Sequence, residues 1–203
     1  MSGAALRLAD VACLRGGRML FHGVNLTLGP GESALLTGSN GVGKSSLLRV
    51  CAGLLPAFAG TVDRHGGIAL ADERLALDMD LPLATALAFW AQLDGAGSNA
   101  VQAALDAMAL PRLTDVPVRM LSTGQRKRAM LARVIASAAP IWLLDEPGNG
   151  LDSASIDLLG AAVAGHLAAG GIVVAASHQP LPMTTPLTLA LADYQPDALE
   201  DAP

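Results

Sequence analysis

"ESALLTGSNGVGKSSLL", residues 32–48, decides the fold. Its first third is an apolar strand, and its last residues open a helix. Between them "GSNGVGKS" (38–45) satisfies the pattern G-x-x-x-x-G-K-[ST] at every position. The spacing has a physical reason. Gly38, Gly41 and Gly43 let the backbone curl so that successive N–H groups point inward at phosphate oxygens, and the helix start behind them adds the positive end of its dipole. Lys44 is placed to bridge the β- and γ-phosphates of a nucleotide, and Ser45 to offer its hydroxyl to Mg2+. Gly38, Ser39, Asn40, Gly41, Val42, Gly43, Lys44 and Ser45, with Ser46 just behind, therefore form a candidate nucleotide site. The loop says that a nucleotide binds, and is silent on what the nucleotide does.

A second strand supplies acids. "IWLLDEP" (141–147) is apolar until Asp145 and Glu146. Beside a phosphate loop, Asp145 falls where a carboxylate holds Mg2+, usually through water. Glu146 points differently and could polarise the water that attacks the γ-phosphate, which favours hydrolysis over a mere switch. A strand ending in solvated acids is the plainer alternative when this motif stands alone. His178 closes a third strand, "IVVAASH"; it could contact the γ-phosphate or be an ordinary strand-end residue.

Bulk properties narrow the class. The 203 residues suit one domain, and with 52% hydrophobic but 3% aromatic residues the core must be built from Ala, Leu and Val. A net charge of -5 argues against a nucleic-acid groove, and no Lys/Arg run resembles a membrane patch. Cys13 and Cys51 lie outside any CxxC pair and read as buried apolar thiols. "MSGAALRLAD" has neither the basic start nor the apolar run of a signal peptide. The apolar stretch 158–177 has the length of a membrane span, but its Gly170–Gly171 pair splits it into a helix opened at Asp152 and a β-branched strand.

Strands alternate with helices along the chain, predicting an open, mostly parallel α/β sheet. "ALRLADVACL" and "VNLTL", with "RGGR" between them, give an antiparallel β edge. The helix that starts at Lys44 should be stopped by Pro56. Residues 74–120 read as a helical subdomain inserted in a core made of 1–73 and 121–203. Within it Leu83, Leu87 and Trp90 fall at helical spacing, mostly as lobe core. Ser122 should cap a long helix running to Ser137, and "PLTLALAD" a last edge strand.

"LSTGQ" (121–125) sits far downstream of the phosphate loop yet carries similar chemistry. It resembles the LSGGQ signature of ABC-type ATPases, with Thr123 where Gly is usual. The order of phosphate loop, signature, "WLLDEP", "GNGLD" (148–152) and His178 resembles that family too, and the likeness covers nearly the whole chain. The resemblance implies a P-loop NTPase fold of the ABC nucleotide-binding type. It also implies a head-to-tail homodimer in which Ser122, Gly124 and Gln125 of one copy close over ATP and Mg2+ held by the other. Ser122 would serve as helix cap and nucleotide contact alike. His178 would be the switch histidine, acting with Lys44 and Glu146 in catalysis. Arg15 stands where an aromatic residue usually stacks on adenine, and Glu73 near where a glutamine usually links Mg2+, held by Ser45 and Asp145, to the membrane partner. Arg126, Lys127 and Arg128 read as a solvated helix face.

Within the family, "CLRGGRMLFHGVNLTL", "SLLRVCAGLLPAFAGTV", "DVPVRMLSTGQRKRAMLAR" and "GGIVVAASHQPL" most resemble the ATP-binding subunits of bacterial cytochrome c maturation (haem exporter) systems. That implies a homodimer at the cytoplasmic face of the inner membrane, bound to an integral membrane subunit. ATP hydrolysis there would drive release of the haem-loaded periplasmic chaperone. An ATPase for another transported substrate is the nearest alternative. A soluble ABC protein acting on nucleic acid or ribosomes would show a basic face, a coiled-coil insertion or tandem units, and the sequence has none. A nucleotide-dependent module with little turnover would leave Glu146 dispensable.

Overall fold

In the computed structural model, which describes residues 3–196, the chain begins with two long strands, β1 (Ala5–Arg15) and β2 (Arg18–Leu28). Gly16 and Gly17 join them at φ of 57° and 79°, the two-residue turn whose twist matches that of a hairpin. After β3 (Ser33–Thr37) and the glycine loop comes α1 (Lys44–Ala52). This helix ends before the predicted Pro56 stop. Gly53, at φ 76°, takes the left-handed cap and its N–H donates back to Val50 O. Then follow β4 (Ala59–His65), β5 (Ile68–Ala71), α2 (Leu83–Leu93), α3 (Ser98–Ala107) and α4 (Thr123–Ala136). The chain continues through β6 (Ile141–Asp145), α5 (Ser153–Ala168), β7 (Ile172–Ala176) and β8 (Leu187–Ala190).

Two sheets result. β2, β1 and β4 form an antiparallel sheet in that order, and β5-β6-β7-β3-β8 form a parallel one with β8 at the edge. Every residue of β6 and β7 is buried, as the middle strands of a parallel sheet must be. Alternation along β6 divides the core. Ile141 and Leu143 pack with α1 and the antiparallel sheet, whereas Trp142 and Leu144 pack with α4 and α5 on the other face.

The apolar stretch 158–177 is interrupted as its glycines predict: α5 ends at Ala168, Gly170 turns at φ 85°, and β7 starts at Ile172. Among the described residues no helix is long and apolar enough to cross a membrane. Cys13 and Cys51 are buried and free, and burial pushes the Cys51 thiol up to about 12. Leu83 and Leu87 are fully buried. One cation fastens α2 to the sheet. Arg133 of α4 donates to Leu70 O on β5 while its guanidinium lies 5.3 Å from the centre of the Trp90 ring.

Candidate active site

Parallel pairing brings the predicted residues together. β3, β6 and β7 run the same way, so their carboxyl ends open on one edge of the sheet, where α/β proteins bind ligands. The glycine loop leaves β3 there, Asp145 ends β6, and His178 follows β7 by two residues. A cavity of about 590 Å³ lies at this edge. Asn40, Gly41, Gly43, Lys44, Ser45 and Ser46 line its floor, and Glu73, Asp145, Glu146 and His178 line one wall. Arg15 comes in from the β1–β2 hairpin.

The loop is held against that hairpin. Gly43 has φ 116°, and a Cβ there would stand 2.9 Å from the Phe21 ring, so glycine alone lets β2 approach this closely. Val42 is buried, and its N–H donates to Ser39 O. Lys44 is 6% exposed, and its Nζ donates to Gly38 O at 2.8 Å and Ser39 O at 3.2 Å. No carboxylate lies in ion-pair range of Lys44 among the described residues. A buried cation whose partners are neutral fits an incoming phosphate.

Glu146 is held under backbone strain. Its φ is 46°, left-handed for a residue with a side chain, a conformation that costs about 1–3 kcal/mol and persists only where its surroundings enforce it. The backbone N–H of Glu146 donates to Ala176 O at 2.8 Å, and its Oε2 accepts from the His178 N–H at 3.3 Å. Oε1 is buried with no hydrogen-bond donor, although His178 Nε2 is 3.2 Å away. Nε2 also lies 3.2 Å from Lys44 Nζ, and in the tautomer that leaves Nε2 unprotonated it accepts from the ammonium.

Asp145 is 5% exposed and paired in register with Ala176. Among the described residues no group of three or more His, Cys, Asp or Glu could by itself hold a metal ion. The donor set is nevertheless one that Mg2+ uses, because that ion takes one or two protein ligands and completes its shell with phosphate oxygens and water. Ser45 and Asp145 line the cavity together, and exposed Glu73 borders it from the loop after β5.

Ser122, Gly124 and Gln125 line no part of this cavity. They build a reciprocal cap at the start of α4. The Gln125 N–H donates to Ser122 Oγ at 3.2 Å, and the Ser122 N–H donates to Gln125 Oε1 at 2.8 Å. The basic run behind them differs from the solvated face that sequence suggests. Arg126 donates to Arg119 O in the helical turn before α4 and Arg128 to Met108 O at the end of α3, so both guanidiniums satisfy carbonyls of neighbouring helical segments. Lys127 is half-buried: burial pushes its ammonium pKa down, while Glu73 foremost, then Asp145, Glu146 and Asp72, pull it back up.

Two lining residues escape the motif reading, Leu20 and Asn149. Leu20 lies on β2, which no phosphate-loop pattern includes. Asn149 was within reach, inside "GNGLD", and its N–H donates to Glu146 O at 3.2 Å.

A parallel sheet with a glycine loop, buried lysine and acidic strand end at one edge defines the class: this is a P-loop NTPase fold. The comparisons with known proteins narrow it. Residues 21–149 match the ABC transporter family. The chain is 55% identical to the cytochrome c biogenesis ATP-binding export protein CcmA of Novosphingobium aromaticivorans, covering 97% of this chain and 100% of that protein. It is 53% identical to the protein of the same name from Zymomonas mobilis, over 94% of this chain and 86% of the other. Among solved structures, an ABC transporter ATP-binding protein from Pyrococcus furiosus superposes with a TM-score of 0.82 at 22% identity, covering 95% of this chain and all of that one; this likeness concerns the fold. The chain belongs to the ABC transporter family.

Proposed function

We infer that this chain is the ATP-hydrolysing subunit of an ABC complex that serves cytochrome c biogenesis by export. The site observation that carries hydrolysis is the buried Glu146 Oε1, which lacks a donor, beside Lys44 at the edge of the cavity. The likeness to cytochrome c biogenesis ATP-binding export proteins along nearly the whole chain supports the biological setting.

In this reading ATP lies along the glycine loop, whose N–H groups and Lys44 take the phosphates. Lys44 exchanges two neutral carbonyl partners for phosphate oxygens and draws away from His178. Glu146 Oε1 accepts a hydrogen bond from water and takes its proton as the water oxygen bonds to the γ-phosphorus, with ADP as leaving group. His178, freed from Lys44, orients Glu146 and faces the γ-phosphate. Mg2+, which Ser45, Asp145 and Glu73 would hold, supplies neutralisation of charge on the β- and γ-phosphates.

Ser122, Gly124 and Gln125 act in this reading on the nucleotide of a second copy, which is why they sit away from the chain's own cavity. Two copies in head-to-tail symmetry would then bury two nucleotides, and hydrolysis would release the pair. Residues 74–120 serve as the lobe that receives an integral membrane subunit. Support comes from an apolar groove of about 310 Å³ lined by Leu75, Leu77, Leu81, Phe89 and Trp90, with Phe89 60% exposed. The chain would work at the cytoplasmic side of the inner membrane, as a peripheral subunit.

The test is genetic. Deleting the gene should abolish covalent haem staining of c-type cytochromes in membranes, and wild type but not Lys44→Ala should restore it. Persistence of the stained cytochromes in the deletion would overturn the assignment.

A further inference from the structure

A second cavity, of about 270 Å³, adjoins the first and shares Glu73 and Asn149 with it. One face of α4 forms one side. Thr123, Arg126, Lys127 and Met130 fall at i, i+3, i+4 and i+7, so the same stripe of the helix carries all four. Leu75 and Met79, from the segment between β5 and α2, line the other side.

Apolar walls and unmatched charge meet there. Leu75, Met79 and Met130 supply the apolar surface, with Met130 buried and Met79 38% exposed. Lys127 is half-buried, and no carboxylate lies in ion-pair range of it among the described residues. Arg126 spends one Nη on Arg119 O, while its Nε is buried without an acceptor. Against these two cations stands one lining acid, Glu73, which leaves one positive charge uncompensated. A cation withdrawn from water without a partner is costly, and an anion brought beside it is held.

That excess of one charge fits a monoanion, and a dianionic phosphate would overshoot it. A carboxylate matches the planar fork of a guanidinium and accepts from an ammonium as well. The rest of the ligand must be apolar and short, because pockets that hold drug-sized molecules run to about 300–1,000 Å³. Thioether sulfurs favour the edge of an aromatic ring, and methionine side chains adapt to what enters. Lys127 is also a counter-charge for the neighbouring site. Burial pushes its pKa down, and Glu73, Asp145, Glu146 and Asp72 pull it up, the first three of them lining the nucleotide cavity. An anion that engages Lys127 leaves those acids less compensated, so an anionic nucleotide is held more weakly.

We propose that this second cavity binds small arylalkyl carboxylates, with the carboxylate on Lys127 and Arg126 and the ring against Leu75, Met79 and Met130. Its occupancy lowers the affinity for nucleotide across the shared wall, a coupling that rests on the nucleotide reading of the larger cavity. The effect is reciprocal, so nucleotide weakens the carboxylate by the same factor.

The experiment is calorimetric titration of the full chain, free of nucleotide and metal, with phenylbutyrate, phenylbutanol and phenylbutylamine. It compares wild type with Lys127→Gln, Lys127→Arg, Lys44→Ala and Phe89→Ala. The expected result is saturable binding of phenylbutyrate to wild type, binding of the alcohol at least about fivefold weaker, and none of the amine. Lys127→Gln should weaken phenylbutyrate about tenfold, whereas Lys127→Arg, Lys44→Ala and Phe89→Ala stay within about threefold. In wild type, saturating phenylbutyrate should weaken metal-free ADP about threefold, and in Lys127→Gln it should leave ADP unchanged. Phenylbutyrate that fails to bind, binds no better than the alcohol, or is indifferent to Lys127→Gln overturns the proposal. So does a loss confined to Lys44→Ala or Phe89→Ala, which would place the ligand in the nucleotide cavity or in the apolar groove of the lobe. ADP affinity that ignores bound phenylbutyrate overturns the coupling. ADP that fails to bind wild type even with Mg2+ counts against the nucleotide reading instead, while the Lys127 variants still decide the carboxylate site.

Discussion

His178 Nε2 stands 3.2 Å from Lys44 Nζ and 3.2 Å from Glu146 Oε1, so in the tautomer that leaves Nε2 unprotonated it accepts from the ammonium and has no proton for the carboxylate. One nitrogen is thus shared between the cation proposed to meet phosphate and the carboxylate proposed to meet water. In the proposed mechanism the imidazole is engaged by Lys44 without nucleotide and would become available to Glu146 once phosphate draws Lys44 away. His178→Ala should therefore leave ATP binding within about threefold and lower turnover roughly a hundredfold. Displacement titration and phosphate release on the same preparations check both halves, and a parallel loss of binding would remove the positioning role.

Ser122 caps α4, and its proposed contact with nucleotide can be separated from that role. As an N-cap, its replacement by Ala should cost about 1 kcal/mol of folding stability. If the hydroxyl also meets the nucleotide of a second copy, a side chain that caps as well but differs in reach should not restore activity. Ser122→Asn is therefore expected to recover the melting temperature lost in Ser122→Ala while turnover stays low. Recovery of both would confine Ser122 to capping.

The His166 ring lies on Trp142, with centroids 3.8 Å apart and planes 10° from parallel, and Gly171 leaves the space. Burial pushes the His166 pKa below its ordinary value, and bonds to backbone at Pro140 and Ile172 only partly offset this. A depressed folded-state pKa means that the unfolded chain takes up the proton first. Stability from this site is present above about pH 6.5 and is lost as pH falls from there through the folded value. His166→Phe should keep the stack and flatten the fall of melting temperature between about pH 7 and pH 5. An unchanged slope would contradict the assignment.

A Cβ at position 171 would sit 2.2 Å from His166 Nε2. Gly171→Ala should consequently destabilise the fold by about 1–3 kcal/mol, and Gly171→Ala in a His166→Ala background by much less. Equilibrium denaturation of the four proteins measures that coupling. Equal losses in both backgrounds would mean that the ring is not the obstacle.

Much of the fold was legible because it is written in local rules. The glycine loop between strand and helix, the Ser122 and Asp152 caps, the glycine break in 158–177 and the apolar run of β6 each follow from nearest-neighbour chemistry. What the sequence did not disclose is what tertiary contact decides. Arg126 and Arg128 look like surface cations, yet they donate to Arg119 O and Met108 O, and Arg133 donates to Leu70 O on a strand 63 residues back. α1 ends at Gly53 although Pro56 is the louder signal, because the first residue able to take a left-handed cap does so. At the site, the types and order of Lys44, Asp145, Glu146 and His178 were readable. The positive φ of Glu146 and the sharing of His178 Nε2 were not, since both depend on how three separate strands end at one edge.

The most direct measurement of the central claim is phosphate release from Mg-ATP by the full chain, comparing wild type with Glu146→Gln and with Lys44→Ala, alongside ATP binding. The account predicts that Glu146→Gln binds ATP as wild type does but turns over at least about a hundredfold slower, and that Lys44→Ala loses both. Turnover of Glu146→Gln within threefold of wild type would contradict it, leaving a nucleotide-binding subunit whose hydrolysis is not performed by Glu146.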